Sequence, residues 1–253
     1  MGEVAELKRR WTVLYRESQD RGDLYAAKVL TAFYMTMIKL AKNEQVESEK
    51  ELEAFVDRRD PRRFNLQHSS AFESLIHLYL YRGDVSNAWA RLGSIWPAYS
   101  RSMLLQVGMI RIHMHELRGR SALAMAERAV DPDVFLRQAK ENARSLERER
   151  QPWAHAHAHY LKAGIAACEG DTVRSVRELT LAVEDYDRAE MPLRAQILRF
   201  RLGEVQGGAE TRELRDKAEL WIREQGIVSP ARWAGMYAPG FLKISTESIE
   251  TSY

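Results

Sequence analysis

Apolar residues recur along this chain at spacings of three and four, the period of an α-helix, and strand alternation appears nowhere convincingly. From Val4 to Gln19 the positions Val4, Leu7, Trp11, Leu14 and Tyr15 form one stripe; Arg21-Gly22-Asp23 then supplies a helix stop followed by an N-cap residue. A second helix, from about Leu24 to Ala41, is apolar on more than one side through Val29, Leu30, Phe33, Tyr34, Met37, Ile38 and Leu40, so it is expected to pack between neighbours. A third runs from about Val46 to Arg58 and ends ahead of Asp60-Pro61, because a proline disfavours the helical region for the residue before it.

The arrangement then recurs. Between 64 and 96 a helix carrying Phe72, Leu75, Leu78 and Tyr79 meets Arg82-Gly83-Asp84, and a helix carrying Val85, Ala88, Trp89 and Leu92 follows, ending before Pro97. Between 153 and 186, Trp153, Tyr160, Leu161 and Ile165 precede Glu169-Gly170-Asp171, with Val173, Val176, Leu179 and Val183 after it. Separating these copies, the pattern predicts a helix from about Tyr99 to Leu117, a shorter one near 120–129 and a highly charged one from Val134 to Arg150. Helices at about 193–206, 210–225 and 230–237 complete a set of roughly eleven or twelve joined by short turns. A helix pair of this size cannot bury its apolar faces alone and must stack on the next pair, so the predicted fold is an all-α superhelix over residues 1–241. Residues 242–253, rich in Ser, Thr and Glu, read as a flexible polar tail.

Charge narrows the function. Lys and Arg number 38 against 36 Asp and Glu, a net charge of +2 rather than the one-sided excess of a dedicated nucleic-acid binder. A single cysteine, Cys168, excludes an internal disulfide framework and a cysteine-based zinc site, and fits a reducing cytoplasm. No run of about eighteen uncharged apolar residues offers a membrane span, so no membrane partner is expected.

Candidate chemistry is sparse. His155 and His159 stand one helical turn apart and could present two imidazoles to a metal, but Ala156 occupies the place of a catalytic glutamate and no third ligand is evident, so no metal or other cofactor is assigned. His113 and His115 are two apart and project to different faces. Cys168 reads as an inert thiol on an apolar face, and the alternating charges of Arg144 to Arg150 as a salt-bridged, solvated one. Trp11, Trp89, Trp153 and Trp221 fall on apolar stripes, while Trp233 and Tyr237 are expected to cap the end of the array.

Helix, Gly-Asp, helix resembles the layout of tetratricopeptide repeats, in which a small residue follows the turn glycine by five positions, as Ala27, Ala88 and Ser175 do, and a large one precedes it by four, as Tyr79 does where Ser18 and Ala166 depart from the pattern. The segments Leu146-Glu147-Arg148-Glu149-Arg150-Gln151-Pro152-Trp153-Ala154, Gln225-Gly226-Ile227, Pro230-Ala231-Arg232 and Ala238-Pro239-Gly240-Phe241 are similar to the C-terminal helical-repeat region of large bacterial serine/threonine protein kinases. That resemblance implies a sensory or partner-binding module, and the chain itself has no kinase Gly-rich loop, His-Arg-Asp, Asp-Phe-Gly or Walker loop. The tetratricopeptide likeness further implies a concave groove lined from the first helix of each pair. Its lining residues would be Arg9, Thr12, Arg16, Ser70, Glu73, His77, Tyr81, His157 and Tyr160. The expectation is therefore a non-enzymatic module holding a protein or peptide partner; a small-molecule effector sensor and an enzyme of unrecognised chemistry are the alternatives.

Overall fold

The computed structural model describes residues 4–44, 49–57 and 65–242, and every regular element among them is helical. Helix α1 spans Val4–Asp20. Helices α2 (Leu24–Val29) and α3 (Thr36–Ala41) are joined through a π-helical stretch at Leu30–Met35, and α4 covers Glu49–Asp57. Helices α5 (Leu66–Arg82), α6 (Val85–Arg101), α7 (Gly108–Ala126) and α8 (Asp133–Glu147) follow, with a 3-10 turn at Met103–Gln106. Then come α9 (Pro152–Cys168), α10 (Thr172–Arg188), α11 (Pro192–Gln206), α12 (Ala209–Glu224) and α13 (Pro230–Tyr237).

The three Gly-Asp turns adopt one geometry. Gly22, Gly83 and Gly170 have φ of 64°, 76° and 80°, the left-handed region that only glycine enters without strain. Each following amide then reaches back five residues, as from Asp84 to Tyr79 O at 2.9 Å and from Asp171 to Ala166 O at 2.9 Å. The aspartates cap the next helix through their side chains, Asp23 to Ala26 N, Asp84 to Asn87 N and Asp171 to Arg174 N. Ala27, Ala88 and Ser175, five residues past each glycine, are all buried.

From α4 onward consecutive helices pack as neighbours, and α5 also touches α7 as α7 touches α9, so α5, α7, α9 and α11 alternate with α6, α8, α10 and α12 in an all-α superhelix. The two sets differ in how they meet solvent. Helix α9 buries Ala154, Ala156, His157, Ala158, Tyr160, Leu161 and Ala163 to Ala167, which leaves it little polar face, whereas α10 buries a single stripe, Ser175, Glu178, Leu179, Ala182, Val183 and Tyr186. One core runs from Met37 to Phe241. Helices α7 and α9 come close by trading glycine for leucine. A Cβ on Gly119 would lie 2.5 Å from Leu161 Cδ1, and one on Gly164 would lie 2.7 Å from Leu123 Cδ1.

The helix boundaries depart from the sequence reading between 97 and 129. Helix α6 continues through Pro97 to Arg101, because Pro97 and Gly93, whose carbonyl loses its amide partner, are both on the exposed side. The two helices expected at 99–117 and 120–129 are instead the one helix α7, entered from the 3-10 turn. The start of the helix expected at Val46, its end at Arg58 and all but Leu242 of the expected polar tail lie outside the described residues.

Candidate functional site

Helices α5, α7, α9 and α11, the inner set, turn polar side chains toward one another where water is largely excluded. Glu116 and Arg120, four residues apart on α7, are 2% and 1% exposed and approach to 3.4 Å. Arg194 of α11 reaches the other oxygen of Glu116 at 3.2 Å, and Arg120 Nη2 meets His77 Nε2 of α5 at 2.5 Å. Two guanidiniums thus share one carboxylate. Deleting one partner of such a buried pair costs about 3–5 kcal/mol, which makes the cluster part of the fold as well as its inner surface.

Aromatic and imidazole groups surround this centre. Buried His157 contacts the Tyr186 hydroxyl through Nδ1 and sets its ring edge-on to Trp153 at 5.5 Å; half-buried His113 lies 5.2 Å from the same indole. Burial holds His77 and His157 well below the usual histidine range and lowers His113 to about 4, with Arg194 and Arg120 adding to the shift. Burial also raises half-buried Glu73 to about 7, although Arg120 and Arg194 oppose the shift. Tyr160 and Tyr186 are pushed up by burial. His157 Nε2 and the Tyr160 hydroxyl are buried without a hydrogen-bond partner.

A segment of the same chain lies across this surface. After α12 the backbone turns at Gly226 (φ 83°), and the Val228 amide donates to Ala41 O of α3 at 2.8 Å. Helix α13 then bridges α5 and α11. Trp233, 1% exposed, meets Tyr81 edge-on at 6.3 Å, and Tyr237 lies 5.6 Å from His77. The Tyr237 ring receives two cations, Arg194 at 4.0 Å and Arg120 at 4.9 Å from its centroid. Where α13 ends, Arg120 Nη1 donates to Met236 O at 3.1 Å and Arg201 Nε to Ala238 O at 2.8 Å. The positive side chains thereby meet the negative end of the helix dipole and the carbonyls left over there. Beyond it, the Gly240 amide donates to Glu127 at 2.6 Å, and Cys168 Sγ approaches Gly240 O at 3.5 Å. Gly240 crosses α9 closely at Gly164, where a Cβ on Gly240 would sit 3.1 Å from Gly164 Cα.

The residues expected to line a groove divide into two groups. Glu73, His77, Tyr81, His157 and Tyr160 gather on the inner face. Ser70 lies on α5 with its carbonyl accepting from Ser74. Arg9, Thr12 and Arg16 stand exposed on α1, Arg9 paired with Glu6 at 2.6 Å and Thr12 bonded to Lys8 O. Trp233 and Tyr237 do not cap the open end of the array: they are packed inside it. His155 and His159 engage different partners, the Glu149 carbonyl at 2.9 Å and the Glu178 carboxylate at 2.7 Å, and among the described residues no three His, Cys, Asp or Glu side chains are placed to hold a metal. His113, Glu116, Arg120, Tyr186, Arg194 and Arg201 were not singled out by any turn-glycine register. For His113 and Glu116 the signal is compositional: in α7 the stretch Ile110 to Leu117 interleaves charge and apolar residues without separating them into faces.

No helix among the described residues is long and apolar enough to cross a membrane. No family model, curated protein or solved structure matches the chain.

Proposed function

We propose that this chain is a non-catalytic protein-interaction module whose inner face holds a segment of a partner protein. The observation that carries this reading is residues 230–241: the inner face already receives a peptide, seating two aromatic rings and taking its end carbonyls on buried arginines. A role beside a kinase-type signalling system in a bacterial cytoplasm belongs to the same proposal and rests on the sequence resemblance alone.

The test uses the chain as bait in a lysate of its source cells, followed by titration of each purified retained protein. Glu73→Arg is the control, since it adds a third guanidinium beside Arg120 and Arg194. The expected result is a partner that binds the parent and is weakened about tenfold or more, roughly 1.4 kcal/mol, by the variant. Retained proteins that bind parent and variant equally would sink the groove reading.

A second reading, a small-molecule effector sensor, draws support from the unpartnered Tyr160 hydroxyl and His157 Nε2 beside the Glu116–Arg194 pair. It predicts a rise in melting temperature with a small polar ligand.

A further inference from the structure

The groove reading leaves a question of occupancy, since a partner and residues 230–241 would use the same surface. We propose that 230–241 is a displaceable intramolecular ligand, and that the external partner is a helical peptide bearing two aromatic residues one turn apart whose last carbonyls are taken by Arg120 and Arg201.

This proposal rests on the interaction-module reading and specifies its ligand. The segment's anchors are of a kind that any such peptide can present. Arg120 and Arg201 bind backbone carbonyls, which carry no side-chain identity, and the specificity comes from the rings at 233 and 237. Helix α13 runs only from Pro230 to Tyr237, far below the length at which a helix holds itself together in water, so its conformation depends on the groove. The Gly226 turn and the Val228–Ala41 bond sit before it and provide a pivot that can remain while the rest departs. An emptied groove, in contrast, would leave Arg120 without the Met236 acceptor while still enclosed by α5 and α7. The surface therefore favours exchange of one peptide for another over standing open. The resident segment is also an imperfect fit, because Trp233 Nε1 is buried with no acceptor. A phenylalanine at that place avoids the unpaired donor.

The tether gives the resident segment an effective concentration on the order of millimolar, so a free peptide of the same sequence binds the intact chain weakly. Two measurements test this. In the parent protein, native-state hydrogen exchange is followed at the amides of 233–238, 240 and 241 and of α9. Opening of the segment alone predicts exchange at least about a hundredfold faster than in the α9 core, about 2.7 kcal/mol. Exchange of both through one global event would overturn the proposal. In the second, the fluorescent peptide Pro230–Phe241 is titrated against the parent and against Trp233→Ala/Tyr237→Ala, with helicity checked by circular dichroism. The folded double variant is expected to bind at least about tenfold tighter than the parent and to prefer the peptide with Phe at the Trp233 position. It is also expected to alkylate faster at Cys168, whose thiol lies 3.5 Å from Gly240 O in the parent. A folded variant that gains no peptide affinity overturns the proposal; if the variant does not fold, the exchange measurement on the parent decides. A partner captured by a chain whose 230–241 amides stay protected would remove this inference and leave the interaction module standing.

Discussion

At the scale of single residues, a fourth turn repeats the Gly-Asp geometry without a glycine. Glu190 has φ of 53°, and the Met191 amide reaches back to Tyr186 O at 2.9 Å as Asp84 does to Tyr79 and Asp171 to Ala166. Asn43, with φ of 57°, does the same after α3, where asparagine tolerates the left-handed region better. A side chain with a Cβ costs about 1–2 kcal/mol there. Glu190→Gly is therefore expected to stabilise the protein by about 1 kcal/mol, read as a higher urea midpoint with an unchanged slope; no gain would mean that the turn is held against a stronger constraint than its own strain. The same turn shows what could be read from the chain. Gly22, Gly83 and Gly170 were legible because glycine followed by a capping aspartate is a chemical signal. Ala189-Glu190-Met191 carries none, and without a glycine register the inner-face positions of α7 and α11 went unassigned, taking Glu116, Arg120 and Arg194 with them.

At the scale of helices, the periodicity gave the elements well and their partners poorly. Helices α8 to α13 lie close to where the apolar spacing and the intervening turn residues put them, since both are local signals. Helix α13 was expected to cap an open end. Its packing against α5, more than a hundred residues earlier, has no local signature and emerges only from tertiary contact. Close helix approach is likewise decided by partner rather than pattern. Gly203 of α11 faces α12 so tightly that a Cβ would fall 2.5 Å from Arg215 Cβ and 2.6 Å from Thr211 O. Backbone cannot move aside as a side-chain tip can. Gly203→Ala is expected to destabilise by about 1–3 kcal/mol despite alanine's better helix propensity. The check is chemical denaturation beside the control Gly93→Ala on α6, where nothing lies within 4 Å and the propensity gain should appear unopposed.

At the scale of the molecule, the inner face links stability to pH. His77 and His157 are held well below 6.5, and His113 near 4, chiefly by burial, so the unfolded chain binds these protons first as pH falls. Their contribution is present above about 6.5 and lost as pH drops toward 4. Glu73 works the other way: its folded value, near 7 against 4.5 unfolded, gives stability present below 4.5 that fades as pH rises through 7. Within this cluster three histidines outweigh one glutamate between pH 5 and 6, while elsewhere burial lowers His115 and raises Glu127, which act in opposite senses. Net uptake by the cluster of about two protons on unfolding implies a loss of about 2–3 kcal/mol per pH unit of acidification. Denaturation midpoints across that interval test it, and Glu73→Gln should steepen the slope by removing the opposing group. A flat profile would show that the imidazoles do not stay neutral in the folded chain.

Helical arrays whose repeats touch only the next repeat behave as springs: they stretch, twist and fray from either end, and each unit's stability is a local matter. The bond between Val228 and Ala41, together with Arg232 on Asn43 at 2.9 Å, fastens the late helices to the early ones. A clasped spring has lost its softest modes. Parting the early helices from the late ones therefore requires breaking these two bonds as well as the contacts of α13 with α5.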